Sequence, residues 1–127
     1  MWVIAEIGVN HDGESGRALE LVAAAAEAGA DAVKVQHFRP ERLLATGAGL
    51  ATYQKRSERD AASMLGRLTL TLDELASVRD EARRRGLAVV ATPFSLDDVS
   101  ELGELGLDAV KIASPAVGNL PLLEAAG

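Results

Sequence analysis

"VIAEIG", residues 3–8, decides how this chain folds. It has the Val/Ile/Ala content of a buried strand, yet it carries a carboxylate, Glu6, with no cation beside it in sequence. An unpaired buried carboxylate is costly, so Glu6 needs a partner from elsewhere in the fold or a chemical role. Taken with its flanks, the run is "WVIAEIG" (2–8), and three later runs share its character: "AVKVQHF" (32–38), "AVVATPF" (88–94) and "AVKIAS" (109–114). Between them lie helix-period stretches at about 16–28, 72–85 and 96–105, followed by Gly29, Gly86 and Gly106 in the place of a left-handed C-terminal cap. The starts are equally legible. Thr71 and Glu74 have capping-box spacing, Ser95 precedes "LDD", and Ser15 precedes the Ala-rich first helix. Asn119 and Pro121 open a fourth helix, in which the sequence ends.

Strands alternating with helices predict parallel pairing through right-handed crossovers. Residues 39–70 are a long connection between the second and third strands. They hold the loop "RPERLLATGAGLATYQ" (39–54), and a short helix is expected near 57–66. Connections of this length in a compact domain serve as lids or binding loops. No low-complexity segment and no domain boundary interrupts the pattern.

With 127 residues, the chain is long enough for one domain with a sizeable core, which the 3% aromatic content requires to be built from Ala, Val, Leu and Ile. The absence of cysteine removes disulfides, thiolate metal sites and cysteine nucleophiles together. A formal charge of −6 argues against a nucleic-acid surface. The basic run Arg83-Arg84-Arg85 falls where a helix ends, and there it complements the helix dipole. No apolar run approaches the roughly 18 residues that span a bilayer, and no export segment precedes the first strand. A cytoplasmic protein that acts on small molecules is expected.

Strand parity sorts each run into two faces. Val3, Ala5 and Ile7 oppose Ile4 and Glu6; Val33, Val35 and His37 oppose Lys34 and Gln36. In the third run Val90, Thr92 and Phe94 oppose Val89 and Ala91, and in the fourth Val110 and Ile112 oppose Lys111, with Ser114 at the tip. Each strand thus has one apolar face for helices and a second face with polar groups near its C-terminal end. This is the pattern of a (β/α) TIM-type barrel, whose C-terminal rim holds the active site. Glu6 would then share a pocket with Lys34, Gln36, Thr92 and Lys111. A Glu–Lys network that merely supports the barrel is the bland reading. Convergence from four strands favours a functional one, and two shielded lysines suggest a substrate bearing phosphate or carboxylate groups.

His37 lies on the helix-facing parity and reads as a packing histidine. His11, in the turn "NHDG" (10–13), is accounted for by turn chemistry from Asn10 and Gly13, with a substrate role at the rim left open. Two histidines so placed cannot assemble a histidine-rich metal site. Tyr53 and Gln54 are packing or substrate contacts.

Together these residues resemble the N-acetylneuraminate (sialic acid) synthase family, including its legionaminate, pseudaminate and spore-coat relatives. The motifs "IAEIGVNHDG" (4–13), "GADAVKVQHF" (29–38), "ATPFS" (91–95) and "DAVKIASPAVGNLPLL" (108–123) fall in the family's order and spacing, and "YQK" (53–55) and Met64 fit its insertion. Family members complete an eight-stranded barrel, and many add a small antifreeze-like domain. The resemblance therefore implies that residues 1–127 form the first four βα units, a half barrel with the fourth helix truncated and no second domain.

The resemblance also implies a transferase reaction. Phosphoenolpyruvate condenses with an open-chain N-acetylated amino sugar such as N-acetylmannosamine, giving a nine-carbon 2-keto acid and phosphate. Lys34, Thr92, Lys111 and Ser114 match positions that hold phosphoenolpyruvate; Glu6 and Gln36 match the sugar and metal-water side, and Tyr53 is a further substrate contact. Glu6 and Lys111 are the residues expected to be catalytic. A divalent metal, Mn2+ or Mg2+, would polarise the sugar aldehyde, with ligands outside this chain. The chain departs from the family at two positions: Ala116 stands where many members have a sugar-contacting Glu, which bears on the identity of the sugar, and His37 replaces a small or aliphatic residue.

Two other readings compete. Lys111 could form a Schiff base as in a class I aldolase. Alternatively, the chain could be an inactive half-barrel that binds an anion or a partner without turnover. A half barrel alone would leave two strand edges unpaired, expose Ile4, Val90 and Phe94, turn its charges to water, associate into homo-oligomers and lack synthase activity.

Overall fold

A computed structural model describes residues 1–43 and 61–127. Its four strands, β1 (Ile4–Glu6), β2 (Ala32–His37), β3 (Ala88–Pro93) and β4 (Ala109–Val110), form one parallel sheet in chain order. The helices are α1 (Ser15–Glu27), α2 (Pro40–Leu43), α3 (Leu72–Arg84), α4 (Leu96–Leu105) and α5 (Leu120–Ala126). This is the expected α/β alternation. Residues 61–66 are helical, in line with the helix expected near 57–66, of which 57–60 lie outside the described residues.

The helix-facing parity forms the core. Ile7, Val33, Val35, Val89 and Ala91 from the sheet pack with Ala18 and Val22 of α1, Leu75, Val78 and Ala82 of α3, and Leu102 of α4. Helix starts follow the capping residues. Thr71 and Glu74 make the reciprocal capping box, Ser95 accepts from the Asp98 N–H, and the Asn119 side chain accepts from the Leu122 N–H. The Ser15 expectation is corrected by one residue: Ser15 is already helical, and Glu14 precedes the helix without a side-chain cap. Gly29, Gly86 and Gly106 all have positive φ, as their place after a helix requires.

Two strands are shorter than their apolar runs. Around β1 the pairing continues in single bonds, Asp31 N–H to the Val3 carbonyl and Ile7 N–H to the Lys34 carbonyl. In β4 the ladder ends after the Lys111 N–H reaches the Ala91 carbonyl. Pro115 has no N–H to continue it, and Ser114–Ala116 close into a 3-10 turn instead. The short helix α2 was not anticipated; Pro40 begins it, with φ preset for a first helical residue.

The sheet also contains a repeat whose meaning emerges only in three dimensions. "GADAVKV" (29–35) and "GLDAVKI" (106–112) start alternate strands. Asp31 Oδ2 accepts the Val3 N–H at 2.7 Å, and Asp108 Oδ2 accepts the Val89 N–H at 2.9 Å. Each aspartate thus ties the base of its strand to the preceding one, and Lys34 and Lys111 occupy equivalent places in the two units. The basic run is structural, as its position predicts. Arg83 donates to the Gly106 carbonyl at 2.6 Å, just past α4, and Arg85 to Glu81 at 2.6 Å.

The expected exposure of the second face is corrected in part. Ile4 is 44% exposed, but Val90 is buried. Phe94 is half-buried and meets Phe38 edge-on at 5.9 Å between ring centroids. Nor do all the charges of that face turn to water, because Lys34 is buried.

Candidate functional site

Parallel register sets the second face out in rungs. Glu6 pairs with Lys34, which pairs with Val90; two residues further along, Gln36 pairs with Thr92. Phe38 and Phe94 follow in the same parity and close the row at the strand ends. Val110 pairs with Ala91, so Lys111 follows at the level of Thr92 on the next strand.

The cation that Glu6 lacks in sequence comes from across the sheet. Lys34 Nζ lies 2.9 Å from Glu6 Oε2, with the lysine side chain 4% exposed and the glutamate side chain 59% exposed. The ammonium is thus sunk into the protein while its counter-charge reaches the surface. Thr92 is also buried, and its Oγ1 has no hydrogen-bond partner among the described residues. A buried hydroxyl left open costs stability, and a bound anion would satisfy it. Gln36 beside it is half-buried, and Lys111 is exposed. Ser114 is exposed and opens the 3-10 turn rather than ending a strand. The structure therefore brings Glu6 and Lys34 into contact, sets Gln36 and Thr92 next to them by register, and leaves Lys111 and Ser114 at the margin. Tyr53 lies outside the described residues.

The loop after β1 presses on the strand tips. A Cβ on Gly8 would come within 2.8 Å of the Gln36 backbone nitrogen, so only glycine permits this approach. His11 is buried, and its Nδ1 accepts the Gly13 N–H at 3.1 Å. That bond places the proton on Nε2, which has no partner among the described residues. Burial pushes the His11 pKa down, which favours the neutral ring.

Behind the sheet, His37 behaves as its parity predicts. It is buried, with Nε2 2.6 Å from Glu101 Oε2 of α4. Arg42 of α2 donates Nη1 to Asp98 Oδ1 at 2.8 Å and Nη2 to Glu101 Oε1 at 3.0 Å. Arg42 foremost, then His37, holds the Glu101 carboxyl down at about 2. His37, Asp98 and Glu101 bring possible metal-ligand atoms within 4.8 Å of one another. The Arg42 guanidinium already sits on both carboxylates, however, and leaves a cation little charge to neutralise. On the Glu6 face, the one carboxylate among the residues of the rungs is Glu6 itself, already paired with Lys34. The rungs do not by themselves fit a divalent ion.

Sequence reasoning missed this Arg42 network, because its members lie 56 and 59 residues apart in the chain. The acidic first turn of α4 and the two arginines after β2, Arg39 and Arg42, were the available signal.

Comparison with known proteins agrees with the motifs. The NeuB family profile matches residues 21–127. The N,N'-diacetyllegionaminic acid synthase of Campylobacter jejuni is 38% identical over 125 residues, covering 96% of this chain and 37% of that protein. The enzyme of the same name from Legionella pneumophila is 36% identical, covering 97% and 35%. Among solved structures, the N-acetylneuraminic acid synthetase of Leptospira borgpetersenii, in complex with citrate, superposes with a TM-score of 0.85 at 29% identity, covering 98% of this chain and 40% of that one. The chain thus spans little more than a third of the length of the curated relatives it matches. No helix among the described residues is long and apolar enough to cross a membrane. With its motifs in order, its sheet matched and its sequence aligned over most of its length, the chain belongs to the NeuB family.

Proposed function

We propose that this chain supplies the anion-binding half of a synthase. That enzyme would condense phosphoenolpyruvate with an open-chain N-acetylated amino sugar, giving a nine-carbon 2-keto sugar acid and phosphate. The observation that carries the reading is the buried Lys34 ammonium, held by Glu6 one rung from the open Thr92 hydroxyl. A cation that is already desolvated binds a phosphate or carboxylate without paying that cost again, and a buried hydroxyl adds a directed donor. Lys111 and Ser114, at the margin, would complete the hold on the anion. Glu6 and Gln36 face the side from which the sugar would approach, and Glu6 aims Lys34 through their 2.9 Å contact. In the same reading the four βα units are half of an eight-stranded barrel, and Tyr53 contacts substrate. A divalent metal, as the family resemblance implies, would supply Lewis acidity at the sugar aldehyde, with ligands from outside these residues.

Relatives named for legionaminic and pseudaminic acid synthesis support a nine-carbon sugar acid product, with the amino sugar to be read from the panel below. Relatives named as synthases do not favour a Schiff-base aldolase on Lys111. The test is phosphate release by the full-length protein with phosphoenolpyruvate, manganese and a panel of N-acetylated amino sugars. Sugar-dependent release with formation of a 2-keto acid is expected. Release independent of sugar, or borohydride trapping of a keto acid on Lys111, would overturn the proposal.

A further inference from the structure

One guanidinium ties together the ends of two strands. Arg42 spans Asp98 and Glu101, one turn apart on α4, with its two terminal nitrogens. Asp98 is fully buried and uses its other oxygen to accept the Phe94 N–H at 3.1 Å. Glu101 uses its other oxygen on His37. His37 directly follows Gln36, and Phe94 follows Thr92 by two residues. Through Asp98 and Glu101 the guanidinium is therefore linked to the tips of β3 and β2, on the far side of the sheet from the anion site.

We propose that Arg42 is a positioning residue: through Asp98 and Glu101 it fixes the strand tips from which Gln36 and Thr92 reach the substrate. This rests on the reading of that site given above. Only a planar fork can bridge two carboxylates in this way, so lysine is not equivalent. Arg39, at 3.5 Å, reaches Glu101 alone, so without Arg42 the buried Asp98 carboxylate is left with no cation among the described residues. The first turn of α4 then relaxes, the Phe94 N–H loses its acceptor, and β3 is free to shift at its tip. A displacement of about 1 Å in a substrate-holding group costs up to about a hundredfold in rate.

The test uses the full-length protein as wild type, Arg42→Gln and Arg42→Lys. Arg42→Gln is expected to raise the KM for phosphoenolpyruvate about tenfold and to speed hydrogen exchange of the Phe94 amide by a similar factor. Arg42→Lys, which keeps the charge and loses the fork, should recover part of both and carries the test if the glutamine variant does not fold. An unchanged KM with only a lower folded fraction would reduce Arg42 to a structural role and overturn the proposal, as would unchanged exchange at Phe94. Should the wild type show no turnover of phosphoenolpyruvate, the synthase reading fails separately, and exchange at Phe94 still decides whether Arg42 holds the strand tip.

Discussion

Glu6 and Lys34 stand at the same level of adjacent parallel strands, carboxylate 2.9 Å from ammonium, with the lysine buried and the glutamate reaching the surface. The Lys34 side chain is only 4% exposed, so losing its counter-charge is costly unless a hydrogen-bonding group stays in place, and glutamine in place of Glu6 keeps that group. What glutamine removes is the charge that aims Lys34, a change local to the site. In the full-length protein, Glu6→Gln is expected to leave the melting temperature within a few degrees of wild type and to lower turnover by about tenfold or more. A large fall in melting temperature with normal turnover per folded molecule would make the pair a structural device.

Lys111 repeats the place of Lys34 two strands further on, but at the exposed margin. In the full-length protein Lys111→Ala removes that charge. One lost charge-assisted contact is worth about 1.5–3 kcal/mol, so phosphoenolpyruvate affinity should fall by one to two orders of magnitude, with sugar affinity less affected. Titration calorimetry reads both. Equal weakening of the two ligands would remove Lys111 from the phosphoenolpyruvate side.

Much of this arrangement is legible in the sequence because it is set by local rules. Alternation along the four apolar runs sorts Glu6, Lys34, Gln36 and Thr92 onto one face, and Thr71, Ser95 and Asn119 mark helix starts through their own side chains. What is not legible depends on tertiary docking. The partners of Arg42 lie on α4, and nothing near Arg42 in sequence announces them. The same holds for the Phe38–Phe94 contact, which needs the register of β2 against β3. The early end of β4 comes from a competition between ladder and 3-10 turn that an apolar run does not reveal.

Two glycines near the site make opposite predictions. Gly13 has φ 77°, and a Cβ there would lie 1.9 Å from the Arg67 carbonyl oxygen. Gly16 lies in α1 with nothing within 4 Å of its Cβ position. Gly13→Ala should destabilise by at least about 1–3 kcal/mol, because the backbone of both segments must move. Gly16→Ala should be neutral or stabilising by up to about 1 kcal/mol through helix propensity. Urea melts of the two variants check this pair, and similar shifts for both would show that the loop at Gly13 yields freely.

The charge network behind the sheet should be visible in acid. Arg42 and His37 hold the Glu101 carboxyl at about 2 in the folded chain, against an ordinary value of 4.5. A group whose pKa is depressed by folding contributes stability that is fully present above its unfolded value and is lost as pH falls through the folded one. Glu101→Gln cannot titrate, so it lacks that contribution at every pH. Wild type and variant should therefore differ most at neutral pH, begin to converge as pH drops below about 4.5, and meet near 2. Chemical denaturation across that range reads the difference directly. A gap between the two proteins that stays constant down to the lowest pH would show that Arg42 and His37 do not stabilise the Glu101 carboxylate, and that the link from α4 to the strand tips is made by packing rather than by charge.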